Sequence, residues 1–320
     1  MDTLWTALAL AAYIVGQWGL FHAVAVFPLL LLAVRLIRRA KAGLPLNAEA
    51  FALDSDAVWS VANNVALAVI NTFIWMALLV GVYGMIDAFW TQTVGIDRFS
   101  MIGGWPFWLQ LAFALIVLDF KNYWSHRLLH RPWMWEIHSL HHSDRHMNFS
   151  TTTRIHVLEA VQMSLVGLVI LGWFDMPVVV AGVAGVMRLW YSFYIHSGLP
   201  FDHGRLRKIL ASPNYHRWHH ADDPAVYGKN LCDMFPVWDL MFGTHHDPGW
   251  CDRPTGVSDA PDDMLRGQLH PFLRYAAGLR DWALRNLVPG NWALGNRIMR
   301  RRPSAPQSKV TPEALSDSAR

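Results

Sequence analysis

Residues 126–142 read HRLLHRPWMWEIHSLHH, with five histidines spaced H-x3-H and then H-x2-H-H. A second stretch, His216-Arg-Trp-His219-His220, repeats the H-x2-H-H spacing further along the chain. On a helix, residues i, i+3 and i+4 share a face. His126 and His130 can therefore aim at one point, and each H-x2-H-H set can aim three rings together. Neutral imidazole is a common ligand for first-row metals. A lone histidine on a helix face is usually a packed or solvated side chain. Eight in three helically spaced sets are different, because groups that titrate near pH 6.5 repel one another once charged. The pattern predicts one or two metal ions held by His126, His130, His138, His141, His142, His216, His219 and His220.

The rest of the 320-residue chain suggests a lipid surrounding. The hydrophobic class makes up 53% of it and charged residues only 16%, against about a quarter charged in an ordinary soluble domain. Seventeen tryptophans suit a membrane–water boundary. A net charge of +3 comes without a lysine-rich run, so the basic excess is read as facing membrane phosphates, and a nucleic-acid partner is excluded. Cys232 and Cys251 lie in no C-x-x-C pair and read as ordinary thiols.

Residues 4–34 form an apolar run long enough to span a bilayer core, interrupted by Gln17, His22 and Pro28. The start Met1-Asp2 is not basic, so the run reads as a retained anchor rather than a cleaved leader. Arg35, Arg38, Arg39 and Lys41 follow it, which puts the next connection on the cytoplasmic side. Residues 57–86 and 101–118 read as second and third spans, joined by an outer loop at 87–100, with Asn63, Asn64 and Asn71 expected to hydrogen-bond neighbouring helices. Runs 157–174 and 176–195 break at Phe174-Asp175-Met176-Pro177, a hairpin signal. That parity returns His196 and the third histidine set to the cytoplasmic side with the first two. The expected fold is thus all-α: a polytopic membrane bundle of four or five spans or half-spans, with a cytoplasmic helical cap holding a histidine-rich dimetal site. Residues 272–287 have helical apolar spacing, and 301–320 have a disordered composition.

The residues around the histidines resemble a known family. Asp119-Phe-Lys-Asn-Tyr-Trp-Ser-His126, His138-Ser-Leu-His141-His142 and Ser212-Pro-Asn-Tyr-His216-Arg-Trp-His219-His220 look like the three histidine boxes of the fatty acid hydroxylase/sterol desaturase superfamily. Trp238-Asp-Leu-Met-Phe-Gly-Thr244 resembles the segment that closes that domain. The resemblance covers a catalytic domain over 110–246, and the apolar runs, helical spacing and composition add N-terminal transmembrane helices over 1–109, cytoplasmic or amphipathic helices over 247–300 and a disordered tail at 301–320. It implies a non-haem di-iron oxygenase of a membrane lipid, using O2 and an external electron donor, with zinc a substitute in purified protein. It adds His196 to the eight ligands, with Ser192 where fatty acid hydroxylases tend to carry a further histidine. Asn230 opens the Asn230-Leu231-Cys232 turn in place of the family's Asn followed by Tyr or Phe and Gly, and with Asp119 it is the non-histidine catalytic candidate.

Asp119 stands seven residues before His126, on the same helical face, and is expected to orient an imidazole, with Asp239 and Glu159 behind it. His156 is a weaker candidate for this layer, and His203, His245 and His246 weaker still as ligands. No E-x-x-H pair of the soluble di-iron type occurs, so the expected site is built of neutral donors. No haem domain is visible, and the expected partners are a lipid and a separate ferredoxin, cytochrome b5-like protein or reductase. Lipid hydroxylation is the first expectation and lipid desaturation the alternative. A histidine-rich metal transporter or sensor fits less well, since transport wants ionisable groups at mid-membrane and these cluster at span ends.

Overall fold

The computed structural model describes residues 2–45, 54–89, 92, 102–174, 176–257 and 263–286. The described elements are helical: α1 (Asp2–Lys41), α2 (Ser55–Ala88), α3 (Phe107–Leu129), α4 (Trp135–His142), α5 (Val157–Trp173), α6 (Val178–His196), α7 (Pro213–His219), α8 (Val237–Phe242) and α9 (Met264–Asn286). The chain to Pro271 forms one compact unit and Phe272–Arg320 a second, described only as far as Asn286. The outer loop expected at 87–100 lies mostly outside the described residues, as does the tail at 301–320. Among the described residues no helix is long and apolar enough to cross a membrane.

Helix α6 is the centre of the packing. It lies against α1, α3, α7 and a short 3-10 turn at Phe149–Thr153. Two apolar clusters hold it. Ala23 and Phe27 of α1 meet Phe149 and Phe193, with the Phe27 and Phe149 rings stacked at 5.4 Å. Ala114 and Leu118 of α3 meet Val180 and Ala184 of α6. The break expected near Pro177 is present: α5 ends at Trp173, and Pro177, which lacks an N–H, stands just before the first turn of α6.

Polar ties fix the ends that carry the histidines. Asp144, directly after the second box, is buried and accepts from Ser60 and Asn64 of α2 and from Thr151. Arg154 donates to the Leu140 carbonyl at the end of α4, to Ser143 and to Asn64. Asn71 donates to the Ile155 carbonyl at 2.7 Å. Asn64 and Asn71 thus bond across elements, as their place in an apolar helix requires.

The short helix α7 forms because Ser212 caps it, accepting from the Tyr215 N–H at 3.0 Å, and Pro213 fills the first helical position. Gly256 is also tightly held. Gly256 has φ of +94°, and a Cβ there would stand 2.8 Å from the Arg145 Cα, so both its backbone and its space require glycine.

Candidate metal centre

The histidines come from four helices and their caps. His126 lies in the last turn of α3 and His130 caps that helix; His138, His141 and His142 lie on α4; His196 ends α6; His216 and His219 lie on α7, which His220 caps. They gather into two groups whose nitrogen atoms lie within 4.8 Å of one another: His126, His130, His138, His142 and His219 in one, and His141, His196, His216 and His220 in the other. The groups are neighbours, with the His142 and His220 rings stacked at 4.5 Å. All are buried except His130, which is partly so, and Trp135 stacks near His130 and His142 as an apolar wall.

The hydrogen bonds at the outer nitrogens fix how four of the rings are protonated. The Nδ1 of His126 stands 2.8 Å from the Leu231 carbonyl, that of His219 2.7 Å from the Lys229 carbonyl, and that of His196 2.7 Å from the Ser192 carbonyl. A carbonyl only accepts, so each Nδ1 carries the proton and each Nε2, in a neutral ring, presents a lone pair. The Nδ1 of His138 donates in the same way to the Glu159 carboxylate at 3.0 Å. The lone pairs of His126 and His138 point inward at each other, their Nε2 atoms 3.0 Å apart, and the Nε2 of His196 meets that of His216 at 2.9 Å.

Two facing lone pairs at that distance repel unless a proton or a metal cation lies between them. A proton is disfavoured. Burial first, and then the neighbouring histidine charges, push His130, His138, His141, His142, His216 and His220 well below the usual imidazole range, and burial pushes His196 down to about 4. The Nε2 atoms of His130, His219 and His220 and the Nδ1 atoms of His141 and His216 are buried without a protein partner. Unsatisfied buried nitrogens are rare in folded proteins. Neutral, inward-facing donors in two sets suit two first-row cations.

Asp119 and Asn230 have different places from those expected. Asp119 does not orient His126. Its carboxylate accepts from the Met234 and Phe235 N–H groups and from the Trp238 indole, at 2.9–3.0 Å. Burial, and next the Asp233 charge, push it up to about 7, while those N–H donors favour its ionised form. Asn230 adopts φ of 53° and uses its side chain to hold the Tyr215 carbonyl and both backbone groups of His246. Asp239, fully buried, accepts from the Leu231 and Cys232 N–H groups, Thr244 and Tyr215.

These three residues therefore shape the 229–235 loop, and the loop's own carbonyls orient His126 and His219. Those carbonyls belong to Lys229 and Leu231, and no side-chain pattern marks them. The helical spacing of Asp119 identified its face correctly, but the loop lies between it and the cluster. Arg188 of α6 adds a further tie, an ion pair to Asp233 at 2.7 Å.

The weaker candidates lie outside both groups. His156 caps α5 through Nδ1 and meets the Gln268 carbonyl through Nε2. His203 bonds Tyr194, His245 packs on Tyr215 and His246 on Trp218. Ser192, which stands where a further family histidine would be, gives its carbonyl to His196 and its hydroxyl to Thr152. Cys232 and Cys251 are free and buried.

Residues 111–244, which carry every histidine of the two groups, match the fatty acid hydroxylase family. That match makes residues 111–244 a fatty acid hydroxylase domain, of the fatty acid hydroxylase/sterol desaturase superfamily. The chain is 35% identical over 173 residues to an alkylglycerol monooxygenase of Danio rerio, covering 52% of this chain and 34% of that protein. It is 30% identical over 149 residues to the ornithine lipid hydroxylase OlsE of Rhizobium tropici, covering 45% of this chain and 44% of that one. A very-long-chain aldehyde decarbonylase of Oryza sativa matches at 27% over 152 residues, covering 43% of this chain and 53% of that protein. The chain thus spans between a third and about a half of the length of these relatives. No solved structure matches.

Proposed function

We propose that this chain is a membrane-bound, di-iron oxygenase that hydroxylates an alkyl carbon of a polar or acyl lipid, with O2 as oxidant and electrons from a separate donor. The observation that carries the reading is the pair of buried, all-histidine groups with inward lone pairs. A lipid monooxygenase and a lipid hydroxylase among the similar proteins support the substrate class. Two ferrous ions, held by the five-histidine and four-histidine groups, would supply O2 activation.

The chain's own residues do the rest. Glu159, Leu231, Lys229 and Ser192 hold the Nδ1 protons outward, so that Nε2 faces the centre. Trp135 and the apolar cluster of Tyr123, Ile195, Ala211, Tyr215 and Leu231 keep bulk water from the site. The four-histidine group offers fewer donors than its neighbour, which makes it the side where oxygen and substrate have room.

The membrane setting is supported by exposed apolar side chains: Leu29 and Leu30 on α1, Trp108 and Ile116 on α3, Val179 and Met187 on α6. Arg38, Arg39 and Lys41 in the last turn of α1 support a cytoplasmic histidine end under the positive-inside rule. Lipid mass spectrometry of cells with and without the gene tests the function. A lipid class that gains one oxygen atom only when the gene is present is the expected result; loss of two hydrogens would identify a desaturase. Iron-loaded protein that turns over no lipid in the presence of a reductant would overturn the reading.

A further inference from the structure

Helix α9 turns its faces the wrong way round for a helix packed into a protein core. Its inward side is small and polar. Gly267 and Pro271 are buried, and a Cβ on Gly267 would collide with a Leu140 methyl, so backbone and side chain are already in contact there. Gln268 donates to the Ile155 carbonyl at 3.0 Å and accepts from the Val157 N–H, while its own carbonyl meets His156. The outward side is apolar. Leu265, Leu269 and Leu273 recur at i, i+4 and i+8 and are 63%, 60% and 68% exposed, and Leu279 continues the stripe at 66%.

The level at which this helix is tied points to what covers that stripe. Gln268 grips the first residues of α5, and after Glu159, Gln162 and Ser164 in its first two turns α5 is an unbroken apolar run from Leu165. The anchor point is therefore the boundary between the polar cap and the apolar helices. The helix has modest net hydrophobicity and carries four arginines, 266, 274, 280 and 285, against one acid, Asp281. A strongly two-faced, basic helix of this kind lies in the plane of a membrane, its apolar face at the headgroup–acyl boundary and its cations among anionic headgroups.

We infer that α9 is an interfacial helix that seats the outer edge of the histidine-bearing cap on an anionic lipid surface. The inference rests on the membrane reading proposed above.

Single cysteines test it, because the native Cys232 and Cys251 are buried at 0% and 2% exposure and compete poorly for a label. The full chain carrying L269C, L273C, R274C or I116C is reconstituted in phosphatidylcholine–phosphatidylglycerol vesicles and tagged with an environment-sensitive fluorophore. Ile116 lies on an exposed apolar face of α3 and reports on the membrane reading itself. The expected result is blue-shifted emission at positions 269 and 273, quenched by brominated acyl chains, with iodide quenching severalfold weaker than at 274. Iodide quenching equal at 269, 273 and 274, with bromolipid quenching only at 116, would overturn the interfacial helix and leave the membrane reading standing. Iodide access at 116 as well would overturn both.

Discussion

Replacing Glu159 with glutamine separates what this carboxylate does for the fold from what it does for a bound metal. Its Oε1 accepts from the Nδ1 of His138 at 3.0 Å, the side-chain exposures of the pair are 1% and 5%, and Oε2 is buried without a partner. A carboxylate behind a ligating imidazole raises the ring's basicity and fixes its orientation, and loss of such a partner weakens metal affinity by roughly 10–100-fold, or about 1.4–2.7 kcal/mol. Burying an unpaired charge works the other way, since the metal-free fold bears its desolvation. The glutamine variant should therefore show two effects of opposite sign. The metal-free protein should melt at the same or a higher temperature, whereas the loaded protein should yield one of its two ions to a chelator first. The loss should fall on the five-histidine group, because His138 belongs to it and the other group has no carboxylate partner among the described residues. Competitive chelation followed by metal analysis, with thermal unfolding in parallel, measures both. Equal release of both ions, or retention of both against the wild-type chelator concentration, would refute the assignment of Glu159 to one ion.

Other outcomes follow from the same geometry. His219→Ala removes a ring that reaches the five-histidine group from the third box, and should abolish lipid turnover while carbonate extraction still leaves the protein in the membrane fraction. Asp239→Asn should cost about 2–4 kcal/mol, because four donors, from Leu231, Cys232, Thr244 and Tyr215, lose an ionised acceptor; thermal unfolding and retained iron measure it, and an unchanged melting temperature would exclude the loop-shaping role. The metal-stripped protein should lose stability as pH falls below about 6.5, the unfolded imidazole value. The unfolded chain then binds protons that the buried rings refuse, and the loss should continue toward the folded value of about 4 for His196. A melting temperature flat between about pH 7.5 and 5 would contradict that sign.

The histidines were legible in the sequence because helical periodicity is short-ranged. The spacing of His138, His141 and His142 fixes their mutual geometry whatever surrounds α4, and the same holds for His216, His219 and His220 on α7. How the three sets divide is a matter of packing. His141 leaves its own box-mates to join His196, His216 and His220, since adjacent residues on a helix point about 100° apart and His142 already faces α3. The layer behind the rings was legible only where it is made of side chains. Glu159, the one charged residue of its helix, stands out in the sequence. Leu231 and Lys229 act through carbonyls, and any residue offers a carbonyl; what selects these two is the conformation of their loop. That conformation does leave a trace. Asn230 holds a positive φ, a region that asparagine tolerates better than most residues, and Asp119 and Asp239 are charges buried where nothing cationic bonds them directly. A buried carboxylate that gathers backbone N–H groups of one loop together with side-chain donors from its neighbours is a device for setting backbone direction. The acids placed near the histidines by spacing therefore belong to the site, but one step further from the metal than helical periodicity alone suggests.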